Sequence, residues 1–128
     1  MKLRIAVVVV IFLFAFSCKK DANTNNSPVN GKWRFVGMEQ SIGGPATFSP
    51  ATADNNTDYI QFSGSGKVQS NFFSNVTTYK VKDSNILTIN YNNTSTPVID
   101  YYYMVKQDTL SLANTGCIEG CAVFFVKE

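Results

Sequence analysis

Apolar and polar positions divide this chain into a continuous apolar start, a polar stretch, and a long region in which the two kinds alternate. Ile5 to Phe16 is twelve apolar residues in a row, preceded by Lys2 and Arg4. That run is short of the roughly 20 residues a spanning helix needs and suits the h-region of a signal peptide. From Lys19 to Asn30 the one aliphatic side chain larger than alanine is Val29. So little apolar surface cannot offset the entropy of ordering, and the stretch reads as a flexible tether. The alternation begins at Gly31.

Gly31 to Glu39 carries the only Trp and reads as the first strand. A period of two places Trp33, Phe35 and Gly37 on the inner face and Lys32, Arg34, Val36 and Met38 on the outer one. The indole of Trp33 then seals one end of a core. Ser41 to Asn56 follows, broken by Gly43-Gly44-Pro45 and Ser49-Pro50. So long a connection reads either as a lid, pinned across an opening by Ile42 and Phe48, or as disorder. Further strands are expected at 57–62, 66–73, 75–82, 85–91, 97–106, 109–112 and 122–127. Ser63-Gly64-Ser65-Gly66 supplies a hairpin turn, and Pro97 opens its strand where a missing N–H does least harm.

One internal similarity supports this parse. Tyr79-Lys-Val-Lys82 leads through a polar turn into Leu87-Thr-Ile89, and Tyr103-Met-Val-Lys106 leads the same way into Leu110-Ser-Leu112. The same hairpin occurs twice. Eight strands with mostly short connections predict an all-β fold, an eight-stranded antiparallel up-and-down β-barrel whose edges close on each other. A two-sheet β-sandwich is the alternative.

Length and charge narrow the picture. Of 128 residues, about 110 remain after the export segment, enough for one core and no second domain. The formal charge of +2 includes Lys2 and Arg4. Without them, nine Lys/Arg face nine Asp/Glu, and the aromatic residues do not interleave with basic ones, which argues against a nucleic-acid partner.

Two stretches carry a resemblance. Ala15-Phe16-Ser17-Cys18, directly after the apolar run, resembles the lipobox of bacterial lipoproteins, with Ala15 and Phe16 departing from its usual spelling. The resemblance implies that Cys18 is acylated and becomes the mature N-terminus, held in the lipid bilayer by more chains than stable anchoring requires. Gly31-x-Trp33, Phe62-x-x-x-Gly66-x-Val68, the repeated hairpins and Cys117-x-x-Gly-Cys121 before Phe124 together resemble the lipocalin-like bacterial lipoproteins. The implied organisation is a signal peptide (1–17), a lipidated Cys with its tether (18–29) and a lipocalin-like barrel (30–128). The implied location is the cell envelope, anchored to the outer membrane and facing the periplasm or the surface. The relatives with known roles hold apolar molecules in the lumen.

Candidate chemistry is sparse. Cys117 and Cys121, in an exported chain, read as a disulfide closing a small loop. The chain has no His, so neither a Ser-His nor a Cys-His pair exists, and those two thiols would have only carboxylates as further metal ligands. No metal, cofactor or catalytic residue is assigned, although Asp58 and Asp100 could meet across a barrel. Asp54-Asn-Asn-Thr-Asp58 has the alternate-oxygen spacing of a calcium loop, without its glycine or closing Glu, and reads as a solvated loop. Tyr101-Tyr102-Tyr103 must split between two faces. An aromatic lumen lined by Trp33, Phe35, Phe62, Tyr79, Tyr91, Tyr101 and Tyr103 would hold a small apolar or aromatic ligand. The alternative is a filled barrel that binds an envelope protein or glycan through its outer surface and long loop, with Tyr102, Phe73 or Phe125 marking an outer patch.

Overall fold

The computed structural model describes residues 26–92 and 95–128, and these form an all-β, barrel-shaped sheet. The segment expected to be a signal peptide, Cys18 and the expected tether as far as residue 25 lie outside the described residues. Among the described residues nine strands run in the order β1 (Gly31–Gln40), β2 (Thr47–Pro50), β3 (Tyr59–Phe62), β4 (Val68–Ser70), β5 (Val76–Val81), β6 (Ile86–Tyr91), β7 (Val98–Lys106), β8 (Thr109–Asn114) and β9 (Cys121–Lys127). Spatially the order is β4-β3-β1-β9-β8-β7-β6-β5, with β2 also paired to β1. With β2 set aside this is an eight-strand antiparallel meander. It closes where Lys67 bridges Thr78 and the Tyr79 amide donates to the Gly66 carbonyl at 2.9 Å. The lipocalin-like barrel is the architecture, and the sandwich is not.

The inner face follows the period of two. Trp33, Phe35, Ile60, Phe62, Val68, Tyr79, Leu87, Ile89, Tyr101, Tyr103, Leu110, Leu112 and Phe125 form one buried cluster. The twin hairpins play equivalent parts: Tyr79 and Tyr103 both face inward, and Leu87-x-Ile89 and Leu110-x-Leu112 each bury both aliphatic side chains. The turn at Ser63 to Gly66 forms as expected. The Ser63 amide donates to Lys67 O at 2.9 Å, and Gly66 takes the positive φ of 86° that other residues disfavour.

The structure departs from the sequence reading in three places. The first is a β-bulge in β1. Phe35 pairs Phe125, but Gly37 pairs Phe124, so Val36 is the extra residue and the alternation reverses after it. Gly37 faces outward beside Phe124, and Met38 turns inward against the core.

The second is the long connection, which is neither a lid nor disordered. Strand β3 covers only Gly31 to Arg34 of the ten-residue β1. The upper half of that edge would be left with unpaired backbone groups, and β2 covers it through Gly37↔Pro50 to Gln40↔Thr47. Between the two, Phe35 N donates to Asp58 O at 2.7 Å and Ala51 N to Val36 O at 2.9 Å. Phe48 does pin the segment, onto Phe124 outside the sheet (5.9 Å, edge-on), whereas Ile42 is 96% exposed.

The third is the end of β4. The Ser70 hydroxyl donates to the Tyr59 carbonyl at 2.7 Å and accepts the amides of Phe72 (3.0 Å) and Phe73 (2.9 Å). This serine turn stops the strand three residues short of its expected end and packs both phenylalanines against the core. Phe73 and Phe125 are therefore interior residues and mark no outer patch.

Candidate functional site

The seven residues expected to line a lumen do come together, and they pack on one another. At the end where the chain enters the barrel, the fully buried Trp33 donates its indole N–H to Val29 O at 2.7 Å. The Lys127 ammonium lies 5.4 Å from its ring centroid. Phe62 meets Tyr79 edge-on at 4.9 Å. The single proton of the Tyr79 hydroxyl points between Ser63 O (2.7 Å) and Asn30 Oδ1 (2.5 Å). At the opposite end, Phe35 stacks on Phe72 at 4.6 Å and meets Phe125 edge-on at 5.9 Å. Phe73 lies 5.8 Å from Tyr101, whose hydroxyl is 2.7 Å from that of Tyr91. The Tyr103 hydroxyl reaches Asp83 O at 3.4 Å.

Burial raises the pKa of Tyr79, Tyr91, Tyr101 and Tyr103, because a phenolate would leave water without compensation. Tyr91 is raised further by its bond and charge interaction with Tyr101, while that same bond partly offsets the rise at Tyr101. The hydroxyls are thus neutral and internally bonded at neutral pH. Among the described residues no buried side-chain N or O lacks a partner. A guest in this interior would have to displace aromatic packing and these bonds together.

The other expected features fall as follows. Cys117 and Cys121 are joined by a disulfide with their Cα atoms 6.2 Å apart. Their loop lies against the β1–β2 connection, where Gly43 N donates to Glu119 Oε2 at 3.1 Å. Ile42 and Ile118 stand exposed on these two touching loops, Ile118 at 98%. Tyr102 points outward and is 52% exposed, as alternation requires. Asp58 and Asp100 do not meet: Asp100 faces outward on β7, and Asp58 precedes β3 four strand steps away around the barrel. In the Asp54 to Asp58 loop Asn55 O accepts the Asp58 amide at 3.1 Å, and Asn55 Oδ1 accepts the amide of the preceding Thr52 at 2.6 Å.

Sequence reasoning missed the surface that strands β5, β6 and β7 form together. A groove of about 560 Å³ opens there, lined by Lys80, Lys82, Thr88, Asn90, Asp100 and Thr115, with Val98 as its apolar wall. The Asp100 carboxylate is the organising group. Its Oδ1 accepts the Thr88 hydroxyl at 2.6 Å and its Oδ2 the Lys82 ammonium at 3.0 Å. These bonds, the Thr88 bond above all, hold its pKa below the ordinary carboxylate value. Thr115 donates to the Asp100 backbone carbonyl at 3.0 Å. The alternations Lys80-x-Lys82, Thr88-x-Asn90 and Val98-x-Asp100 were legible as outward-facing pairs. That they lie side by side follows only from the register Lys80↔Thr88, Thr88↔Asp100 and Asn90↔Val98.

No protein-family model and no curated protein matches the chain.

Proposed function

We propose that this is an outer-membrane-anchored, lipocalin-like lipoprotein that acts without catalysis, its filled barrel presenting an outer surface to a partner in the cell envelope. One observation carries the reading: the aromatic side chains that would line a cavity pack into the core cluster, and their polar atoms bond to backbone, to Asn30 or to one another. The exposed large apolar groups, Ile42, Phe48, Val98, Tyr102, Met104 and Ile118, lie outside the core cluster. Attachment through an acylated Cys18 adds an orientation. Ten residues separate it from Val29, eleven chain steps with a reach of at most about 40 Å. Val29 is buried beside Trp33, so the anchor joins the Trp33 end. The loops carrying Ile42 and Ile118 lie at the opposite end of β1 and β9 from the tether.

The test is native mass spectrometry of the lipoprotein purified from its own host, with Trp33 fluorescence and thermal-shift titrations against fatty acids and small aromatic compounds. An apo mass and no saturable response are expected. A co-purifying small molecule, or a saturable change in Trp33 emission, would restore the carrier reading, in which the Tyr91–Tyr101 end opens to admit a guest.

A further inference from the structure

We infer that the groove across β5, β6 and β7 is a binding site for an acidic saccharide, a glycan bearing uronate or a similar carboxylate. The inference deepens the reading just given by naming the chemistry of a partner. It stands on the side chains the register brings together.

The backbone N–H and C=O groups of β6 are taken up by pairing with β5 on one side and β7 on the other. An extended peptide therefore finds no free strand edge here to add to, and recognition must run through side chains. Those side chains alternate donors with acceptors. The Lys80 and Lys82 ammoniums and the Thr88 hydroxyl stand beside the Asp100 carboxylate, and the Asn90 amide donates to Thr78 Oγ1 at 2.9 Å while its oxygen remains an acceptor. Such a set suits a ligand that is itself dense in hydroxyls, each both donor and acceptor. Asp100 is already bound by Thr88 and Lys82, so its orientation is fixed before any ligand arrives, and each of its oxygens retains a further lone pair.

The apolar part of the site suits a sugar as well. Val98 is a small wall rather than a pocket for a large side chain. Tyr102, half-exposed two residues beyond Asp100 on the same face, lies outside the residues that line the groove. Charge then selects among saccharides. Two ammoniums against one carboxylate leave a net +1. Lys82 is committed to Asp100, and Lys80 makes no ion pair among the described residues. Lys80 is the cation available to a ligand carboxylate.

The experiment uses the mature lipidated chain in detergent micelles, titrated calorimetrically with trigalacturonate, with a hyaluronan tetrasaccharide and with the methyl ester of trigalacturonate. Expected is saturable binding of at least one acidic oligosaccharide, weakened about three- to fivefold by Lys80→Ala, as for an exposed ion pair. Asp100→Asn removes the one carboxylate of the groove and releases Lys82, so it should tighten binding of the free acid relative to the methyl ester. Lys106→Ala, an exposed lysine on β7 outside the groove, should leave it unchanged, and the methyl ester should bind worse than the free acid. The inference is overturned if neither acidic oligosaccharide binds, if Lys80→Ala leaves binding unchanged, or if acid and ester bind equally. Thermal melts of Lys80→Ala and Asp100→Asn establish that both variants fold. Failure here leaves the anchored interaction protein standing, because that reading falls only to an apolar guest in the barrel.

Discussion

The ring of Phe48 occupies the space that a side chain on Gly37 would fill: a Cβ built there would lie 2.7 Å from the Ser49 carbonyl and closer still to the Phe48 ring. Gly37 is thus the contact that seats β2 on the upper half of β1. Gly37→Ala is expected to cost about 1–3 kcal/mol by overpacking and to displace β2 while leaving the barrel closed. Hydrogen exchange checks this, since the Ala51 amide bonded to Val36 O should lose protection while those of β7 and β8 keep theirs.

The tyrosines set a limit at high pH. Unfolded tyrosine ionises near pH 10, and Tyr79, Tyr91, Tyr101 and Tyr103 ionise later in the fold. Above that pH the unfolded chain binds fewer protons than the folded one, so stability falls with rising pH. Urea unfolding should show a flat midpoint through neutrality and a decline from about pH 10 upward. Tyr91→Phe should make that decline shallower.

Asp100 acts at the other extreme. Its folded pKa is depressed, so the stability it contributes is present above the unfolded value near pH 4 and is lost as pH falls through the folded value. In Asp100→Asn the acid-side loss should be smaller than in the wild type, measured by chemical denaturation between pH 2 and 5.

Trp33 tests the sealed end. Trp33→Phe removes the donor to Val29 O and part of a fully buried ring, a loss of about 2 kcal/mol. In the unaltered protein, emission should be blue-shifted and resist quenching by iodide. Ready quenching would contradict the burial described.

The disulfide links residues only four apart in sequence, so by chain entropy it contributes about 2 kcal/mol at most. Reduction, or the pair Cys117→Ser and Cys121→Ser, should lower the melting temperature modestly. Loss of order should be confined to the loop that Glu119 holds against Gly43.

Alternation alone determined much of this protein. It placed Phe62, Tyr79, Tyr91, Tyr101 and Tyr103 toward the interior, divided the three consecutive tyrosines between two faces, and revealed the duplicated hairpin. The reason is local: successive side chains of a strand point to opposite faces, and an aqueous solvent allows one assignment of apolar groups. The absence of His likewise limited the chemistry before any fold was known. Tertiary structure decided what local rules cannot reach. The bulge at Val36 reversed Gly37 and Met38 while β1 stayed paired to β9 on both sides of it, and the other edge of β1 takes β3 along one half and β2 along the other. Ser70 ended β4 because its hydroxyl bonds across to Tyr59, a contact eleven residues away. Whether an aromatic interior is hollow or filled depends on how rings from six strands and one turn interlock. The groove exists only because three strands pair in a register that brings Lys80, Thr88 and Asp100 into one row, and register is a property of neighbours, not of a segment.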